Sequence, residues 1–202
     1  MIKKGKFIVF EGLDGSGQST QIALLEKYLK NQNRKVHITA EPTNNLIGGL
    51  IRSALRKQWK ISNTGLQLLY SADRAHHLET EIQPLLKKGY LVISSRYFFS
   101  SLAFGSLNND LKWLKSINEN FPQPDLTIFL KVSPQECIRR INASRARKEL
   151  FEEKKKLEKV LKIYMKISKM RKEYENFIVI DGNQSIKKVH QIIIQTLKKK
   201  NF

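Results

Sequence analysis

Gly12, four residues, Gly17 and then Gln18-Ser19-Thr20 make a spacing that can hold phosphate. The pattern is G-x4-G-K-[ST] at every position except the lysine, which is Gln18 here. Gly12, Gly15 and Gly17 let the backbone turn tightly and aim its N–H groups at phosphate oxygens. A helix opening at Gln18 would add the positive end of its dipole. We therefore take Gly12, Leu13, Asp14, Gly15, Ser16, Gly17, Gln18, Ser19 and Thr20 as the ATP cradle, with the Ser19 hydroxyl placed to ligate magnesium. Glutamine still donates hydrogen bonds, but neutral ones, and charge-assisted bonds are roughly twice as strong. Removing one preorganised donor from a transition state costs about 10²–10³ in rate, so another cation must reach these phosphates if the loop is to do chemistry.

A second pair of residues points to an acceptor. On a helix, Tyr70 and Arg74 lie one turn apart on one face. An aromatic and an arginine so spaced suit a planar base with a phosphate nearby. The apolar stripe Leu68, Ala72, Ala75 and Ile82 is expected to face largely the other way, into the core.

The elements that must hold these groups alternate along the chain. Phe7–Glu11, Val36–Ala40, Leu91–Ser95, Leu126–Val132 and Phe177–Asp181 are short apolar runs rich in Val, Ile and Phe, as suits strands covered on both faces. Helical periods lie between them, one with an expected kink at Pro84. This order predicts an α/β fold with a five-stranded parallel sheet and helices on both faces, the three-layer arrangement of P-loop NTPases. With 202 residues and no repeat or linker, one domain is expected over 1–202.

Composition narrows the setting. No apolar run approaches the roughly 20 residues of a membrane span, and the N-terminus does not read as a signal peptide. Cys137 cannot form an internal disulfide, which fits a cytoplasmic protein, and is expected as a small buried hydrophobe. The net charge of +19 invites a nucleic-acid partner. But the lysines are scattered and not interleaved with aromatics, so nucleic acid is not expected, and solvated faces account for them.

End to end, the chain resembles the thymidylate kinase family of P-loop nucleoside monophosphate kinases. The resemblance rests on "FIVFEGLDGSGQSTQ", "EPT" at Glu41–Thr43, "LLYSADRAHHL" at Leu68–Leu78, "SRYFFSSLAF" at Ser95–Phe104, "ELFEEKKKLEKVLKIY" and "VIDGNQSIKKVHQII". It implies ATP-dependent phosphorylation of dTMP to dTDP with Mg2+, a short lid at about 143–150, and a homodimer. It further implies that Tyr70 stacks on thymine, Arg74 and Arg96 hold the acceptor phosphate, Ser100 positions the base and Phe104 walls the deoxyribose or base. Glu41 joins the substrate-binding set, and Asp14 contacts a sugar hydroxyl or water on magnesium. His76 and His77 match no role.

Besides Gln18, two positions depart from the family pattern: Ser95 stands where an aspartate precedes Arg-Tyr, and Lys131 replaces the aspartate of F-L-D-V. Loss of one positive and one negative group near the phosphates leaves the local charge sum unchanged, which suggests paired replacement. The missing cation is expected from the lid, where Arg145 or Arg147 would act as an arginine finger in cis, worth about 10³–10⁵ in kcat. Two other readings remain open: a nucleotide-binding homologue with weakened catalysis, and a kinase of another pyrimidine deoxynucleotide.

Overall fold

The structure, a computed structural model, describes residues 5–141, 147–170 and 172–202, with the backbone alone over 147–153. Five strands, β1 (Lys6–Gly12), β2 (Val36–Ala40), β3 (Leu91–Ser95), β4 (Leu126–Lys131) and β5 (Phe177–Asp181), form one parallel sheet in the order β2-β3-β1-β4-β5. The expected strands are all present, each within about a residue of its expected ends.

β1 lies at the centre, with Phe10 opposite both Ser95 of β3 and Ile128 of β4. Its side chains alternate between two cores, as period-two strands require. Phe7 and Val9 join one core with Val92, Phe99, Phe129 and Tyr164. Ile8 and Phe10 join the other with Ile22, Leu25, Ile93, Ile128 and Ile193. Burial on both faces is why these strands read as continuous apolar runs.

Helix α1 (Gln18–Lys30) and helix α9 (Ile186–Lys199) cover the second core. Ser185 caps α9 by accepting from the Lys188 N–H. On the other face lie α5 (Phe98–Gly105), α6 (Leu111–Ser116) and α8 (Arg147–Ile167). Cys137, on α7 (Pro134–Ile141), is fully buried there, and burial pushes its thiol up to about 11. It is the small hydrophobe the sequence suggested.

α2 (Leu46–Leu55) packs on α3 (Asn63–His77). After α3 the chain takes one π-helical turn, Leu78–Ile82, before α4 (Gln83–Lys87), which carries Pro84 in its first turn. The expected kink is thus a change of helix type that ends where proline is tolerated. α3 itself overturns an expectation. Gln67, Asp73, Arg74 and His77 are its buried residues, while Leu68 is 50% exposed and Ala72 and Ala75 face solvent. The polar side faces inward because Gln67 and Arg74 line a polar cavity while Asp73 and His77 find buried partners in Thr43 and Glu41.

α8 begins at Arg147, so helix occupies the second half of the expected 143–150 lid. Arg145 lies outside the described residues, and only the backbone of Arg147 is described.

Candidate active site

The phosphate loop runs from the end of β1 into α1. Gly15 and Gly17 adopt φ of 80° and 92°, left-handed conformations that favour glycine. A Cβ on Gly15 would lie 2.6 Å from the Cys137 carbonyl oxygen, so α7 presses directly on the loop. The loop closes on itself through Ser16 N–H to Leu13 O at 3.0 Å and Gln21 N–H to Gly17 O at 3.1 Å.

Gln18 is 7% exposed and turns back onto this loop: its Nε2 lies 3.3 Å from both Gly12 O and Ser16 Oγ. Its Oε1 has no hydrogen-bond partner among the described residues. The amide therefore braces the loop with neutral bonds at the position where the pattern has a lysine. Arg140 of α7 supplies a second brace, donating to Ser16 O at 3.3 Å and to Gly182 O, beyond β5, at 3.1 Å. Glu136 orients Arg140 through Nε at 2.8 Å and also binds Arg139 at 2.7 Å. Its bonds to Arg139 and Arg140 hold the Glu136 carboxyl down at about 2.

A cavity of about 790 Å³ opens beside the loop. Asp14, Glu41, Tyr70, Arg74, Arg96, Ser100 and Phe104 all line it, so the structure gathers every acceptor residue named from sequence. Arg96 follows β3 with φ 73°, a conformation that costs a non-glycine residue on the order of 1 kcal/mol. Its N–H donates to Phe10 O at 2.8 Å, which pins that turn to β1. The side chain then spans the cavity floor: Nη2 donates to Asp14 Oδ1 at 2.6 Å and Nη1 to Ser100 Oγ at 3.0 Å. The guanidinium lies 5.0 Å from the centre of the Phe104 ring.

Arg74 is enclosed. Its Nε and Nη2 lie 2.9 and 2.8 Å from Glu41 Oε2, and Nη2 donates to Ser101 Oγ at 3.1 Å. Nη1 donates to Asn118 Oδ1, and the guanidinium stacks near Tyr97 and Phe121. Its charge is compensated by Glu41, whereas Arg96 faces the loop. Burial raises the Tyr70 phenol above its ordinary value.

Glu11 was not singled out from sequence. It is fully buried behind Arg96, one residue before the loop. Its Oε1 accepts from Tyr97 N–H at 3.0 Å and Ser100 N–H at 3.1 Å; its Oε2 accepts from Ser100 Oγ at 2.6 Å and Tyr164 Oη at 2.7 Å. Burial raises its pKa, opposed by Arg96 and by the bonds from Ser100 and Tyr164. Four donors converge on two oxygens, a set only a carboxylate accepts in full. Burial likewise works against the charge on Arg96, yet Tyr164, Asp14 and Glu11 hold its pKa above the ordinary value. Only the acidic side chain after Phe10 could have signalled this; its partners lie 86 to 153 residues away.

A second cavity, of about 470 Å³, is lined by Ser19, Thr39, Pro42, Glu81 and Ser95 among others. Ser19 stands exposed in the first turn of α1, and Ser95 ends the neighbouring β3.

A parallel sheet with a glycine-rich phosphate loop after its central strand, facing a cavity lined by arginines and aromatics, is the arrangement of a P-loop kinase of nucleotides. The comparisons narrow the class. The pattern described as "Thymidylate kinase" matches residues 10–193. A protein of Pyrococcus abyssi named "Probable thymidylate kinase" is 37% identical over 201 residues, covering 96% of this chain and 97% of its own. Proteins of the same name from Methanococcus aeolicus and Pyrobaculum aerophilum are 39% and 38% identical, each covering 96% or more of both chains. The chain belongs to the thymidylate kinase family, whose reaction is the ATP-dependent phosphorylation of dTMP.

Proposed function

We propose that this protein transfers the γ-phosphoryl group of ATP to the phosphate of dTMP, yielding ADP and dTDP. The observation that carries the reading is the cavity in which Arg96 joins Asp14 of the phosphate loop while Tyr70, Ser100 and Phe104 line the same space. An acceptor phosphate oxygen attacks the γ-phosphorus in line, the bond to the β-phosphate oxygen breaks, and ADP leaves. No general base is needed, since the acceptor phosphate is already ionised; positioning and charge neutralisation do the work.

The roles follow the geometry. Gly12 to Thr20 cradle the ATP phosphates with backbone N–H groups. Arg96 takes the acceptor phosphate in exchange for Asp14, and Tyr70 stacks on the base. Ser100 and Phe104 position the sugar and base; Arg74, expected beside Arg96 on the acceptor phosphate, is bound by Glu41 instead and forms with it the wall behind them. Ser19, an exposed hard oxygen donor in the first turn of α1, fits magnesium, and Asp14 would contact a water on it. Magnesium, when bound, would neutralise phosphate charge. Arg145 or Arg147 would supply the lid cation that Gln18 does not.

A homodimer is the assembly we propose, through α2 and α3. Leu46 is 81% exposed, Leu50 and Leu68 lie partly bare, and Ala72 and Ala75 continue the exposed stripe. A stripe with small residues lets two copies of one helix approach closely about a twofold axis. No helix among the described residues is long and apolar enough to cross a membrane, and the unpaired Cys137 supports a cytoplasmic setting.

ADP release with dTMP, dUMP, UMP and no acceptor tests the reading. Fastest release with dTMP supports it. Preference for another pyrimidine would reassign the acceptor, and release independent of any acceptor would make the protein an ATPase.

A further inference from the structure

His77 has no part in the roles above, yet it is fully buried and ends α3 against β2. Its Nδ1 lies 3.3 Å from Glu41 Oε1. Its Nε2 lies 2.7 Å from Thr39 Oγ1 and 3.7 Å from Glu81 Oε2. Glu81 in turn reaches His37 Nε2 at 2.7 Å near the surface. On the cavity side, the other oxygen of Glu41 holds Arg74 at 2.8 and 2.9 Å, with both side chains almost wholly buried. A polar line thus runs from Arg74 at the cavity wall through Glu41 and His77 to Glu81 and His37.

Buried polar groups are costly unless paired, and a chain of such bonds fixes its members in one arrangement. Glu41 has two oxygens and one task, holding Arg74; with only that bond its carboxylate could rotate. The Nδ1–H of His77 fills the second oxygen. Glu41, whose carboxylate only accepts, requires the proton on Nδ1, and at the far side Nε2 meets the Thr39 hydroxyl at 2.7 Å. The groups facing the ring are Glu41 after β2, Thr39 on β2, Glu81 in the π-helical turn, and Arg74 one turn earlier on α3.

We infer that His77 is a positioning residue for acceptor recognition, acting through Glu41 to set the guanidinium of Arg74. The inference rests on the proposal that Glu41 and Arg74 form the acceptor wall. The amide nitrogen of asparagine stands near the place of Nδ1, and that of glutamine near Nε2. The two substitutions therefore keep or lose the bond to Glu41 while leaving side chains of similar bulk and polarity.

The test is steady-state kinetics of His77→Asn and His77→Gln with dTMP and ATP varied separately, beside their melting temperatures. His77→Gln is expected to raise KM for dTMP about tenfold, the loss of one bond to a charged acceptor, with KM for ATP within about twofold. His77→Asn should stay within about threefold of the parent for dTMP. A role in packing alone predicts equal losses in the two variants; equal effects, or none, overturn the inference. Should neither variant fold, Thr39→Val frees Nε2 from its partner and should raise KM for dTMP several-fold; no change overturns the inference equally. Glu41→Gln separates the two layers. If it leaves KM for dTMP unchanged, the acceptor wall is misplaced. If it raises that KM while His77→Gln does not, only the role of His77 fails.

Discussion

Asp14 and Arg96 meet at 2.6 Å across the space between the phosphate loop and the end of β3. One residue belongs to the donor's cradle and the other to the acceptor's wall, so a single ion pair marks where the two phosphates must come together. Asp14 is the more exposed partner, with 61% of its side chain accessible against 20% for Arg96. It can turn toward solvent when a phosphate takes its place. Arg96 cannot, because Ser100 and the buried Glu11 hold it from behind.

Arg96→Ala is accordingly expected to lower kcat/KM for dTMP by about 10²–10³, the cost of one preorganised donor at developing charge. ATP binding, followed by calorimetry without acceptor, should change little.

Tyr164→Phe keeps the ring stacked on Phe129, with centroids 4.6 Å apart, but removes the hydroxyl that Glu11 accepts. A buried carboxylate short of one donor costs about 1.5–3 kcal/mol. We expect a lower melting temperature and a KM for dTMP raised several-fold, because α8 no longer helps to hold the Glu11–Ser100–Arg96 chain. Kinetics and thermal melts on one preparation check both.

Gln18 and Ser95 are expected to act as a pair. Gln18→Lys adds a cation and Ser95→Asp an anion, each unbalanced alone, and the double variant restores the charge sum. Measured kcat values for both singles and the double should depart from additivity; effects that simply add remove the idea of paired replacement.

Glu136 gives a pH dependence. Its folded pKa is lowered to about 2 by Arg139 and Arg140, below the ordinary 4.5. Its stabilising contribution is therefore present above about pH 4.5 and is lost as pH falls toward 2. Glu136→Gln should be less stable than the parent at neutral pH, and the difference should shrink through that window in chemical-denaturation curves. The loop brace through Arg140 predicts a raised KM for ATP in the same variant.

The strands and the phosphate loop were legible in sequence because each is a local signal: continuous apolar runs for strands buried on both faces, and glycine spacing for the loop. α3 was legible as a helix but read inside out. Amphipathic logic assigns Leu68, Ala72 and Ala75 to a core, whereas here Gln67, Asp73, Arg74 and His77 face inward, Gln67 and Arg74 onto a polar cavity. Burial of a polar face is stable only when its groups find partners, and those partners (Thr43 for Asp73, Glu41 and Asn118 for Arg74) lie 30 to 44 residues away. Glu11 and Tyr164 were missed for the same reason, since nothing near either residue announces a bond spanning 153 positions. The short helices α5 and α6, of eight and six residues, carry too few turns to display a period. Tyr70, Arg96, Ser100 and Phe104 could be grouped only by family resemblance, and the fold brings them to one cavity.

The account stands most directly on turnover by the unaltered protein, whose phosphate loop carries glutamine. With saturating Mg·ATP, ADP release on adding dTMP should reach the range of about 1–100 s⁻¹ common to kinases. ATP binding with no dTMP-dependent ADP release would contradict it and leave a nucleotide-binding protein that does not transfer phosphate.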